Sequence, residues 1–112
     1  MRLRCYQNGS MIDCIMHVIA LRTLREFWTR HPPAEAPLRG WYAEASRADW
    51  RTPADIKSAH RTASFLANNR VVFNIKGNDY RLVVAVRYTP GILFIRFIGT
   101  HAEYDRIDAT TL

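Results

Sequence analysis

His101 directly follows Gly99-Thr100 at the end of an apolar run, and Tyr104 comes three residues later. Upstream, Arg81 and Arg96 each stand inside apolar runs, and Lys76 opens the segment Lys76-Gly77-Asn78-Asp79. An imidazole titrates at about pH 6.5, so it can take or give a proton near neutrality. Guanidinium and ammonium groups stabilise negative charge as it develops on phosphoryl oxygens. These types together suit metal-free cleavage of RNA. There the 2′-hydroxyl attacks the adjacent phosphorus, and a protein supplies a base, an acid for the departing 5′ oxygen, and cations. Ordinary roles compete with this reading. A polar residue at a strand end is common, Tyr104 could stack on a base, donate a proton or seal the core edge, and Lys76 in a turn needs only solvent. Arg81 and Arg96 make the stronger case, because an Arg flanked by apolar strand residues needs a functional face or an ion pair.

Other clusters carry less. His101-Ala102-Glu103-Tyr104-Asp105 has potential metal ligands at alternating positions, but no second cluster completes a site. Cys5 and Cys14 lack a histidine pair nearby, so a structural zinc site is not expected, and a disulfide stays open. No metal or organic cofactor is expected. Trp28 and Trp41 fall on apolar helical stripes and read as core, whereas Trp50 is undecided. His31 and His60 read as loop or helix-end residues.

The elements that must position these side chains follow from periodicity. His17–Ala20 lies in a short β-branched run that suits a first strand. Thr23-Leu24-Arg25-Glu26 has the capping-box pattern of a helix start, and His31-Pro32-Pro33 stops that helix. A second helix is expected over about residues 35–48, with Leu38, Trp41, Ala45 and Ala48 on one stripe. Thr52-Pro53-Ala54-Asp55 starts one or two further turns. From Val71 the period changes to two. Val71–Ile75, Tyr80–Arg87 and Ile92–Ile98 read as an antiparallel meander with turns at Lys76–Asp79 and Pro90-Gly91. The fold class is therefore α+β, with an N-terminal strand and two helices on one face of the sheet, and the other face open.

Turn lengths then set a register. A four-residue loop at Lys76–Asp79 places Asn74 opposite Arg81. A two-residue loop at Pro90-Gly91 places Ala85 opposite Arg96 and Arg81 opposite Thr100. Arg81 and Arg96 would share the open face, close to His101.

Bulk properties agree with one compact domain. The 112 residues are 48% hydrophobic and 23% charged, too short for two cores and too apolar for disorder. The net charge of +6 is concentrated. Residues 51–96 hold eight cations against Asp55 and Asp79, which favours a basic face and a polyanionic or acidic partner. No stretch is long enough for a bilayer, no secretory signal is visible, and a cytoplasmic location is the default. Residues 1–15 read as an N-terminal extension, either a flexible arm or sequence upstream of the true start, with Met11 and Met16 as other possible starts; residues 16–112 read as the domain.

Three segments carry a resemblance: Trp50–Lys57, Arg70–Val84 and Ile95–Asp105, in that order, with Leu24-Arg25-Glu26-Phe27-Trp28 also fitting. Together they resemble the HigB family of toxins from type II toxin–antitoxin systems, within the RelE-like mRNA endonucleases, from about Met16 to the end. The resemblance implies a RelE-like fold with a short C-terminal helix. It also implies mRNA cleavage during translation on the ribosome and a HigA-type, helix-turn-helix antitoxin. It gives Arg81 the scissile phosphate and His101 acid–base or charge-stabilising work. Lys76 and Tyr104 complete the catalytic candidates, Tyr104 through a His-x-x-Tyr pattern, and Asn74, Asn78, Arg87 and Arg96 are the RNA-binding candidates. A non-catalytic RNA- or ribosome-binding domain, or a module for an acidic protein partner, would use the same basic face.

Overall fold

The computed structural model describes residues 3–7, 10–14 and 16–112 of the chain. Of the expected extension over residues 1–15, positions 1, 2, 8, 9 and 15 lie outside the described residues. Within it, β1 (Leu3–Gln7) and β2 (Ser10–Cys14) pair as a small antiparallel sheet, with Cys14 opposite Leu3 and Cys5 opposite Ile12.

The chain continues with β3 (His17–Ile19), α1 (Leu21–Arg30), a 3-10 turn at Pro32–Ala34, and α2 (Glu35–Arg47). Next come α3 (Pro53–Ala59), β4 (Ser64–Leu66), β5 (Arg70–Ile75), β6 (Tyr80–Arg87), β7 (Ile92–Thr100) and α4 (His101–Tyr104). The main sheet has five strands in the order β3-β7-β6-β5-β4. Strands β4 to β7 form an antiparallel meander, and β3 joins its far edge in parallel with β7. The α+β class holds. Strand β4 was missed because only three residues pair and Phe65, at 38% exposure, gives no buried face to read.

Local signals explain where the helices begin. Thr52 accepts from the Asp55 amide at 3.3 Å, and Asp55 Oδ2 accepts from the Thr52 amide at 3.1 Å, closing the expected capping box of α3. The Thr23 box does not form. Thr23 lies within the first turn of α1, its amide donating to Ala20 at 3.1 Å, and Ala20 is the uncapped N-terminal residue. Pairing of β3 with β7 ends the strand at Ile19, so the helix starts where the chain must turn back and not at its best cap.

The helices cover one sheet face. Leu24, Phe27 and Trp28 of α1, Leu38 and Trp41 of α2, and Ile56 of α3 pack with Phe73, Ile75, Leu82, Val84 and Leu93. Trp50 resolves as core at 4% exposure. His31 stacks on Phe27 at 4.4 Å, and His60 meets Phe73 edge-on at 5.1 Å, so both histidines are packing residues.

Candidate functional site

The sheet face turned away from α1–α3 carries Arg70, Val72 and Asn74 of β5 beside Arg81, Val83, Ala85 and Arg87 of β6. Its centre is not open, contrary to expectation. Val83 is 0% and Val72 3% exposed beneath Phe97, Tyr104, Ala109, Leu66 and Leu112. After β7 the chain turns through α4 and crosses back over these valines, because leaving them in water would forfeit apolar burial. Side chains then fasten the crossing. Asn68 Nδ2 donates to the Thr110 carbonyl at 3.1 Å, and Arg70 Nε donates to the Leu112 carbonyl at 2.7 Å.

The sequence-derived candidates consequently divide between the two ends of this face. One end is the β5–β6 turn. Its four-residue loop places Asn74 opposite Arg81, as expected, with both half-buried. Left-handed backbone falls on Lys76 (φ 53°) and Gly77 (φ 65°), which tightens the turn. Arg81 donates from its guanidinium to the Asn78 carbonyl at 3.2 Å, and Lys76 Nζ meets Asp79 Oδ2 at 3.1 Å. The His101 amide donates to the Asp79 carbonyl at 3.1 Å, which ties the end of β7 to the same turn. Lys76, Asn78, Arg81 and His101 are thereby brought together around four residues of backbone.

His101 occupies the first position of α4, and a capping box holds it there. The Thr100 amide donates to Glu103 Oε1 at 2.8 Å, and the Glu103 amide donates to Thr100 Oγ1 at 3.2 Å. The Thr100 amide holds the Glu103 carboxyl below the usual carboxylate range, and the His31 and Arg30 charges add to this. Glu103 therefore stays ionised as a cap. The imidazole remains solvent-accessible, its side chain 53% exposed, with Nε2 3.6 Å from Asp105 Oδ1. Such a ring is open to a ligand. Sequence reasoning placed Asp79 in the turn and weighed Asp105 only as a metal ligand; the i,i+4 spacing of His101 and Asp105 was the signal for their proximity.

Tyr104 stands apart from this group. It is half-buried in the apolar cluster with Val72, Val83 and Phe97, the core-sealing arrangement among the alternatives. Gly99, opposite Arg81, is closely approached. A Cβ there would lie 2.5 Å from Phe97 Cζ and 3.1 Å from Glu103 Oε1. Gly99→Ala is expected to displace the Phe97 ring and loosen the α4 cap, lowering stability by about 1–3 kcal/mol. Urea denaturation reads this directly, and an unchanged midpoint would contradict the packing described.

The other end holds Arg87 and Arg96. The β6–β7 loop spans Tyr88–Gly91, four residues and not two, with Arg87 opposite Ile92. A two-residue hairpin turn needs positive φ at its first central position, which the proline ring of Pro90 forbids. Ala85 therefore faces Phe94 and Arg81 faces Gly99. A β-bulge between the pairs Val84–Ile95 and Val83–Phe97 leaves Arg96 as the unpaired extra residue. Its guanidinium lies 5.2 Å from the Phe94 ring centre. Arg81 and Arg96 share a face, but Arg96 turns toward the end away from His101. Arg70 joins Arg87 and Arg96 in lining one cleft. Counting back from the Asn74–Arg81 pair puts Arg70 opposite Ala85, so its position was legible in the sequence.

A model of HigB_toxin, described as the RelE-like toxic component of a toxin–antitoxin system, matches residues 34–107. The chain is similar to an mRNA interferase HigB from Escherichia coli O6:H1, 26% identical over 94 residues, covering 82% of this chain and 91% of that protein. It is also similar to the mRNA interferase toxin HigB of Escherichia coli K12, 25% identical over 92 residues, covering 80% and 88%. The mRNA interferase HigB of Shigella flexneri gives the same identity and coverage. Among the described residues, no helix is long and apolar enough to cross a membrane.

Proposed function

Because the chain belongs to the HigB toxin family, the RelE-like toxic component of toxin–antitoxin systems, we propose that it is an mRNA endoribonuclease whose chemistry runs at the β5–β6 turn. The observation that carries this reading is the tethering of His101 and Arg81 to the same turn, through the Asp79 and Asn78 carbonyls. RNA enters with its scissile phosphate against Arg81. The 2′-hydroxyl loses its proton and its oxygen bonds to phosphorus, the P–O5′ bond breaks, and the 5′ oxygen gains a proton. His101 serves one of these transfers. Arg81 and Lys76 stabilise the charge that builds on the phosphoryl oxygens. Asn74 and Asn78 offer hydrogen bonds beside Arg81, and Tyr104 seats α4 on the sheet. The relatives' names supply the substrate class, mRNA.

Cleavage takes place on the ribosome, in the cytoplasm, and a HigA-type helix-turn-helix antitoxin neutralises the toxin. Mapping mRNA 5′ ends after induction, with and without a neighbouring helix-turn-helix gene, tests the reading. New ends within translated regions are expected, suppressed by the antitoxin. Ribosome binding without new ends would favour a non-catalytic binding domain instead.

A further inference from the structure

At the far end of the same sheet face, the strands leave a cleft of about 470 Å³ between the β4–β5 connection and the β6–β7 loop. Arg70, Arg87 and Arg96 line it together with Phe94, Tyr88 and Asn68, and no lining residue carries a carboxylate. Some cations elsewhere are matched. Arg22 pairs with Glu26 at 2.9 Å, Arg39 with Glu35 at 2.8 Å and Arg51 with Asp49 at 3.0 Å. Among the described residues, neither Arg87 nor Arg96 has a carboxylate within ion-pair distance, and both are exposed. Arg70 is already held in place by the Leu112 and Asn68 carbonyls.

We propose that this cleft is a second RNA subsite, which grips phosphates of a single strand several nucleotides from the bond being cut. The proposal rests on the nuclease reading for the identity of its ligand. Three features favour RNA over an acidic protein segment. Aromatic surface is interleaved with the arginines: Phe94 beneath Arg96 at 5.2 Å and the half-buried Tyr88 give a base somewhere to stack. Alternation after the inward Ile95 puts Arg96 on this face, and the bulge keeps Phe97 on it as well, so neither is turned into the core. The cleft also lies on the same sheet face as the chemistry, on the far side of the C-terminal crossing. Arg81 and Arg87 lie on one face of β6, six residues apart, or about 20 Å at about 3.3 Å per residue. A strand held at Arg81 and led over the C-terminal crossing comes down at Arg87. The ligand chemistry is that of a flexible polyanion with exposed bases. Duplex RNA is too wide to bring bases onto Phe94.

The test measures binding of the full chain to fluorescein-labelled 2′-O-methyl RNA, which lacks the attacking hydroxyl. Oligonucleotides of about four and about twelve residues bracket the reach of one site and of both. Wild type is expected to hold the longer RNA at least about tenfold more tightly. Arg87→Ala/Arg96→Ala is expected to lose that advantage. Its salt dependence should flatten by about 1.4 in log–log slope, from about 0.7 for each single-strand phosphate contact removed. Phe94→Leu keeps the cavity filled and should lose only part of the length advantage. Equal length dependence in wild type and the double variant overturns the subsite. So does failure of the wild type to bind the longer RNA at low salt. Tighter binding of poly-glutamate than of RNA, lost in the double variant, overturns it in favour of an acidic protein segment. Parallel 5′-end mapping separates the two readings. Cleavage with no length dependence sinks the subsite alone, whereas length-dependent binding without cleavage sinks the nuclease reading alone.

Discussion

His101→Ala is expected to lower mRNA cleavage by about 10²–10⁴-fold, the range for removing a positioned proton-transfer group, and to abolish growth arrest on induction. The fold should survive. The imidazole is 53% exposed with Nε2 3.6 Å from Asp105 Oδ1, and His101 belongs to neither apolar cluster, so its loss opens no core cavity and costs at most a weak surface pair. The anchor of α4 is unaffected, because the Thr100–Glu103 box and the His101 amide bond to Asp79 use atoms that Ala retains or does not replace. His101→Gln sharpens the test: a side chain that hydrogen-bonds but cannot titrate should be nearly as inactive and should erase the limb of the pH–rate profile owed to the imidazole. Arg81→Ala provides the comparison. It removes a charge and not a proton carrier, so it should depress the rate without altering the shape of that profile. Cleavage at wild-type rates in His101→Ala, with intact thermal unfolding, would dismiss this residue from the chemistry.

The largest stability effect is expected at Phe73. Its side chain is 1% exposed and packs against Trp41 at 5.3 Å, His60 at 5.1 Å and Trp50 at 6.0 Å. It thereby joins β5 to α2 and to the segments on either side of α3. Phe73→Ala should cost about 3–5 kcal/mol through lost burial and an unfilled cavity. A domain of this size holds about 5–15 kcal/mol in total, so much of the population would unfold at physiological temperature. Phe65→Ala is the control. That ring is 38% exposed on the edge strand β4, and its removal should shift the urea midpoint little. Similar midpoints for the two variants would mean that the Trp41–Phe73–Trp50 cluster is not the centre of the core.

Where one local feature decided the outcome, the sequence could be read. Loop length alone paired Asn74 with Arg81, and Thr52 with Asp55 marked the start of α3. Where distant segments decided it, the reading failed. Thr23 lost its cap because β3 is tied to β7, a pairing that leaves no trace near Thr23. Reading Pro90-Gly91 as a tight turn overlooked the fixed φ of proline, an error avoidable from the residue itself. The bulge was not avoidable, since an extra residue in a strand has no periodicity of its own. Covering of Val72 and Val83 by Ala109 and Leu112 was equally hidden, because a short irregular segment carries no pattern that declares its partner. For the site, the group around Arg81 was legible and its separation from Arg96 was not.

Most single-residue deletions within a strand are ruinous, because every side chain beyond the gap is turned to the wrong side. β7 contains a place where that rule lapses. With Arg96 excised, Ile95 opposite Val84 would be followed directly by Phe97 opposite Val83, and the two would alternate as an ordinary ladder requires. Sequence length can therefore vary by one at this position over evolutionary time, with the core keeping its inward and outward residues and only the surface gaining or losing a guanidinium.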